Sequence, residues 1–223
     1  MKNLKNSILF KLFTIFVLMV LLLIPTALIK GLIGDRENTQ NEAIREVSSK
    51  WAESQTVSGP FISIPYYKFV KEPAKKDVPE RIIQIKEYIH ILPTQLKISG
   101  NINPEKRNRG IYEIVVYNSK LNISGVFNSL DLKALDIDQK NILFDKAEFI
   151  VGIDDLRGIE KQVGLKWNDT NYFFNSGVTS NDVVASGINA IVRIDPSDKT
   201  VYKFNLSVDL KGSQFLYFTP VGK

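Results

Sequence analysis

The sequence predicts a mainly β protein carried on an N-terminal transmembrane helix. A short amphipathic helix follows the span and leads into an antiparallel β-sandwich-like extracytoplasmic domain. Three observations support this: one uncharged apolar run near the N-terminus, a short stretch with helical spacing behind it, and period-two alternation over most of what remains. The chain has 223 residues, no cysteine and a single histidine, which excludes disulfide frameworks and thiolate metal sites.

Leu12 to Ile29, LFTIFVLMVLLLIPTALI, carries no charge. As a helix it measures about 27 Å, nearly the hydrocarbon thickness of a bilayer. Lys30 is able to snorkel outward, letting Leu32 and Ile33 extend the span to residues 12–33. Pro25 is a kink candidate. A cleaved signal peptide would have a shorter apolar region and an A-x-A-like site, and none precedes Gly31.

Lys2, Lys5 and Lys11 make residues 1–11 a basic tail, while the residues after the span are mixed in charge. The positive-inside bias therefore predicts a cytoplasmic N-terminus, with everything beyond about residue 34 outside. Without those three lysines the chain holds 26 basic against 24 acidic residues, so its net charge of +5 implies no nucleic-acid partner. The lysine-rich run Glu72 to Glu80 is flanked by acids and prolines and reads as a solvated loop.

Residues 34–56 read as the amphipathic helix, with Ile44, Val47, Trp51 and Gln55 at helical spacing and Ser58-Gly59-Pro60 as the stop and turn signal. Two roles fit it: packing Trp51 against the domain, or serving as a stalk that pairs with another membrane protein. From residue 57 to 223 the alternation of Ile83, Ile85, Ile89 and Ile91 with polar residues, and its recurrence through Leu210, implies at least eight strands. Gly, Asn, Asp and Pro clusters separate them, as in a sandwich or large meander. Asn128 to Asn141 is read as holding a short helix and Asn175 to Ser186 as a loop.

Chemistry-bearing motifs are sparse. His90 lies in mid-strand on the polar face, and no G-x-S-x-G elbow or glycine-rich phosphate loop occurs. Asp154 and Asp155 are adjacent, so on a strand they point to opposite faces and do not flank one bond. The loop around them offers too few oxygens for calcium. No catalytic, metal or cofactor-binding residue is therefore assigned, and no cofactor is expected. The tripeptide R-G-I occurs twice, at Arg109-Gly110-Ile111 and at Arg157-Gly158-Ile159. Each glycine suits a turn with positive φ. The expected arrangement is structural: Asp154 or Asp155 in a salt bridge with Arg109 or Arg157, setting the register of adjacent strands.

Several phrases together resemble the CreD family of bacterial inner-membrane proteins. They are LIGDRENTQNEAI, SGPFISIPY, HILPTQLKISGNINPEKRNRGIYEIVVYNSKLNISGVF, IVGIDDLRGIE and LKGSQFLYFTPVGK, in order from the anchor to the last residue. The resemblance implies a periplasmic location for the β-rich domain and further membrane helices at the C-terminus of full-length members. The chain stops at FTPVGK, so it is expected to be the N-terminal part of a longer product, with a naturally short form as the alternative. The implied function is a non-enzymatic contribution to envelope integrity and stress response. The implied partners are the lipid bilayer and other inner-membrane or envelope proteins, with oligomeric state open. A lipid-binding or lipid-shuttling β-domain is the alternative, expected to show an apolar groove lined by Ile83, Phe127 and Phe204. A carboxylate hydrolase is a third reading, requiring two acids that converge in a concave site.

Overall fold

A computed structural model describes residues 8–73, 81–128, 137–195 and 201–221. Among the described residues one α-helix, α1 (Ile8–Trp51), precedes eleven strands. The strands are β1 (Gln55–Glu72), β2 (Arg81–Ile91), β3 (Gln95–Arg109), β4 (Tyr112–Phe127), β5 (Glu148–Ile153), β6 (Gly164–Trp167), β7 (Thr170–Phe173), β8 (Asn175–Ser176), β9 (Gly187–Ile191), β10 (Tyr202–Ser213) and β11 (Leu216–Thr219).

The span and the amphipathic helix are a single continuous element, because nothing between Ile33 and Asp35 breaks the i to i−4 ladder and the helix runs on through Pro25. It is 44 residues long, roughly 66 Å. Its first half exposes a predominantly apolar surface from Ile8 to Ile33, uncharged from Leu12 to Ile29, and it is long and apolar enough to cross a membrane. The second half buries Ala43 and Ser48 and half-buries Ile44, Val47 and Trp51 against the domain. The helix ends at Trp51, not at residue 56, and Gln55 opens β1. Ser58-Gly59-Pro60 does not stop the helix. It sits inside β1, where Gly59 (φ 95°) and a cis peptide to Pro60 accompany a register shift against β5 between Ser58 and Phe61.

The strands form two sheets. The first has the order β11-β1-β5-β9-β8, with β2 also on β1; the second has the order β3-β4-β10-β6-β7. All pairs are antiparallel except β1 with β11, which is parallel. The inner faces meet in one core. Ile62, Ile64, Phe149, Val151 and Ile188 come from one sheet and Ile123, Phe127, Leu165, Trp167, Phe204 and Leu206 from the other. Aromatic rings fill its centre, with Phe149 5.1 Å from Phe204 and Phe127 5.3 Å from Phe204. Strand β5 is buried on both faces and accordingly reads as an uninterrupted apolar run, FIVGI.

Two hairpins outgrow the sandwich, which explains why their alternating isoleucines are only partly covered. The ends of β1 and β2 leave Phe69, Ile82 and Ile85 exposed, and the ends of β3 and β4 leave Ile102 and Val115 exposed. Gln139–Asn141 is one turn of 3-10 helix capped by Asp138; the remainder of the expected helix at 129–136 lies outside the described residues. So do the lysine-rich run at 74–80 and the first seven residues of the basic tail. The expected loop from Asn175 to Ser186 is shorter than read: Asn175–Ser176 pair with β9 as β8, and only 177–186 hold no helix or strand.

Candidate functional site

The helix exit is where the structure concentrates specific polar contacts. Asp155 follows β5 and caps the 3-10 turn Leu156–Gly158 by accepting from the Arg157 amide. Its carboxylate also receives Arg157 Nε at 2.8 Å, Arg157 Nη2 at 2.7 Å and the Glu53 amide at 3.1 Å. The two-pronged Arg157 interaction, helped by those amides and opposed by partial burial, holds the Asp155 carboxyl at a pKa of about 2. The same partner raises the pKa of Arg157. Arg157 Nη1 further donates to the Ser49 carbonyl at 3.2 Å, satisfying a carbonyl in the last turn of α1 and placing positive charge at the negative end of the helix dipole.

Gln55 lies at the centre, with none of its surface exposed. Its Nε2 donates to the Asp155 carbonyl at 2.9 Å and the Lys211 carbonyl at 3.2 Å, and its Oε1 accepts from the Asp155 amide at 3.1 Å. Both amide hydrogens and the oxygen are thereby used, as burial of an amide requires. Ser48 Oγ and Ser213 Oγ lie 2.8 Å apart, buried between α1 and β10. Trp51 donates Nε1 to the Tyr117 carbonyl at 3.3 Å, and its ring lies under Arg107 and Lys211, each 5.0 Å from the centroid. Tyr117 donates its hydroxyl to the Phe215 carbonyl, and burial pushes its pKa up to about 12.

The six residues singled out in the sequence separate into two groups. Asp155, Arg157 and Gly158 belong to the helix exit, and Asp154 faces solvent beside it. Arg109 and Gly110 lie at the tip of the β3–β4 hairpin, where Arg109 Nε donates to Glu46 on α1 at 2.7 Å. The acid turn thus pairs with Arg157, while Arg109 pairs with a helix residue. The two R-G-I glycines also differ in cause. Gly110 has φ 59° and open space around it, so backbone conformation selects it. Gly158 has no positive φ; a Cβ there would collide with the Lys211 carbonyl and Gln55 Nε2, so close approach selects it.

Sequence reasoning missed Gln55 as a buried clamp, and no local signal marks it. Ser48 was legible in principle, since it lies on the Ile44-Trp51 stripe where a small polar residue implies a buried partner. His90 is half-buried, opposite Ser63 in the β1–β2 ladder, with Nε2 3.6 Å from Asp182. Ser63 Oγ and His90 Nδ1 have no hydrogen-bond partner, and Ser63 is 2% exposed. Burial keeps that hydroxyl from any substrate, so the three groups do not make a nucleophilic site.

Phe127 and Phe204 are buried in the core and Ile83 lies out on the β1–β2 hairpin, so these residues line no apolar groove between the sheets. A cleft of about 670 Å³ opens at the far end of the sandwich, lined by Asp145, Trp167, Asn168, Tyr172, Arg193 and Asp195. Several of its polar groups are tied to the fold: Trp167 Nε1 donates to the Arg193 carbonyl and the Asp195 amide to Tyr202 Oη. Among the described residues no group of three or more His, Cys, Asp or Glu is placed to hold a metal.

A family model described as "Inner membrane protein CreD" matches residues 7–223. The Inner membrane protein CreD of Escherichia coli (strain K12) is 27% identical over 221 residues, covering 99% of this chain. The chain spans about half the length of that relative, 48% of it. No solved structure matches.

Proposed function

The chain belongs to the CreD family of inner membrane proteins, and from that premise we propose that it is a non-enzymatic envelope protein contributing to cell-envelope integrity and the response to envelope stress. In this reading the N-terminus is cytoplasmic and the β-sandwich periplasmic, as the lysines at 2, 5 and 11 favour. One observation carries the proposal: a helix whose first half is predominantly apolar continues without a break to Trp51, where Ser48 and the adjoining Gln55 and Asp155 form a hydrogen-bonded grip on the domain. Such an attachment suits a domain held in fixed relation to the bilayer, where it meets lipid or other membrane proteins. A flexible tether to a soluble catalyst would need no such grip.

Deleting the gene is expected to raise sensitivity to detergent and to β-lactams, with recovery on re-expression. Unchanged sensitivity to both, in cells shown to express the protein before deletion, counts against the role.

A further inference from the structure

Helix α1 and the β3–β4 hairpin run side by side away from the sandwich. Trp51 meets the rung of Tyr117, and fifteen helix residues earlier the Tyr112 hydroxyl donates to the Arg36 carbonyl at 3.2 Å. The hairpin therefore points along the helix toward its apolar half. Arg36 stands three residues past Ile33, about 4.5 Å along the axis. From Tyr112 the strand carries Ile111 a further ~3.4 Å in the same direction. The turn at Gly110 and Ile111 thus ends close to the level of the last apolar turn of α1.

At that level Ile111 is 81% exposed. The cations of the hairpin end itself are each matched by an acid: Lys106 with Glu113 at 2.6 Å, Arg107 with Glu105 at 2.9 Å and Arg109 with Glu46 at 2.7 Å. The hairpin end is consequently a nearly neutral ribbon with an isoleucine at its apex and a tyrosine beside it, the pairing of apolar and amphipathic side chains that favours the membrane–water boundary.

We propose that the tip of the β3–β4 hairpin is a second membrane contact, with Ile111 seated in the interfacial layer of the leaflet from which α1 emerges and Tyr112 at its edge. Two contacts with one leaflet, the helix and the tip, fix the rotation of the sandwich about the helix axis. The contact holds whichever side of the membrane the domain occupies. Because the hairpin's own cations are paired, its tip relies on apolar insertion and not on anionic headgroups.

The absence of native cysteine lets Ile111→Cys carry a single nitroxide label in the full chain. After reconstitution into phosphatidylethanolamine/phosphatidylglycerol vesicles, the label is compared for collision with oxygen and with a water-soluble nickel complex. The oxygen-to-nickel ratio is expected to be several-fold higher at Ile111→Cys than at Asp169→Cys, in the exposed turn between β6 and β7, with Asn108→Cys intermediate. Replacing phosphatidylglycerol by phosphatidylcholine should leave that order unchanged. Adding Ile111→Asp to Asn108→Cys should raise nickel access at 108, showing that the isoleucine and not the label draws the tip in. Equal ratios at 111 and 169 overturn the contact. A difference that disappears without phosphatidylglycerol overturns its apolar basis.

Discussion

Asp155 couples three segments through one carboxylate: its own turn, the backbone after α1 at Glu53, and Arg157, which reaches the Ser49 carbonyl. The side chain is 14% exposed, so its interactions are partly shielded, whereas Arg157 at 56% is well solvated and the pair is correspondingly discounted. With a folded-state pKa of about 2 against an ordinary 3.8, the stabilisation is present above the ordinary value and is lost as pH falls toward 2. Urea unfolding of the wild type should therefore lose about 1–2 kcal/mol more than Asp155→Asn between pH ~4 and ~2. Parallel pH profiles for the two proteins would show that the carboxylate charge contributes nothing.

At the scale of elements, α1 and β10 are joined by a buried pair of hydroxyls at 2.8 Å. Truncating one leaves the other without its partner, so Ser48→Ala or Ser213→Ala alone should each cost about 1–2 kcal/mol. The double substitution should cost less than the sum, with a coupling near ~1 kcal/mol. Strict additivity in thermal denaturation would mean that the hydroxyls do not bond. The stalk role proposed for the amphipathic stretch is largely taken up by the domain itself: Trp51 donates to Tyr117 and lies under two cations, while Ser48 faces Ser213. The membrane-proximal turns from Gly34 to Asn41 remain mostly exposed.

For the whole molecule, the aromatic core ties the sheets together. Phe149 in β5 touches Phe127 and Phe204 of the opposite sheet and Trp167 beside them, so the sheets share one packing centre. Phe149→Ala should cost about 3–5 kcal/mol and preserve a single cooperative transition, with near-ultraviolet and far-ultraviolet circular dichroism changing together. Two resolved transitions would indicate that the sheets unfold separately.

Much of this was legible from residue order. The uncharged run marked the span, and the alternation through INAIVRI and VYKFNLSVDL matches strands whose inward residues are buried, because a period of two permits one covered face. The family phrases marked the relationship. Position along the chain hid three things. The Gly59-Pro60 turn signal became an irregularity inside a strand, because pairing with β5 continues on both sides of it. Two identical R-G-I tripeptides acquired different roles, since what surrounds Gly158 comes from Gln55 and Lys211 far away in sequence. The β3–β4 hairpin was readable as two strands, but not its alignment with α1, which depends on Tyr112 meeting Arg36 and Arg109 meeting Glu46. Local periodicity and charge determined that the protein has an apolar helix and a β-domain. Only tertiary packing decided how the helix is gripped and which loop stands beside its apolar end, because those contacts join residues that no local pattern relates.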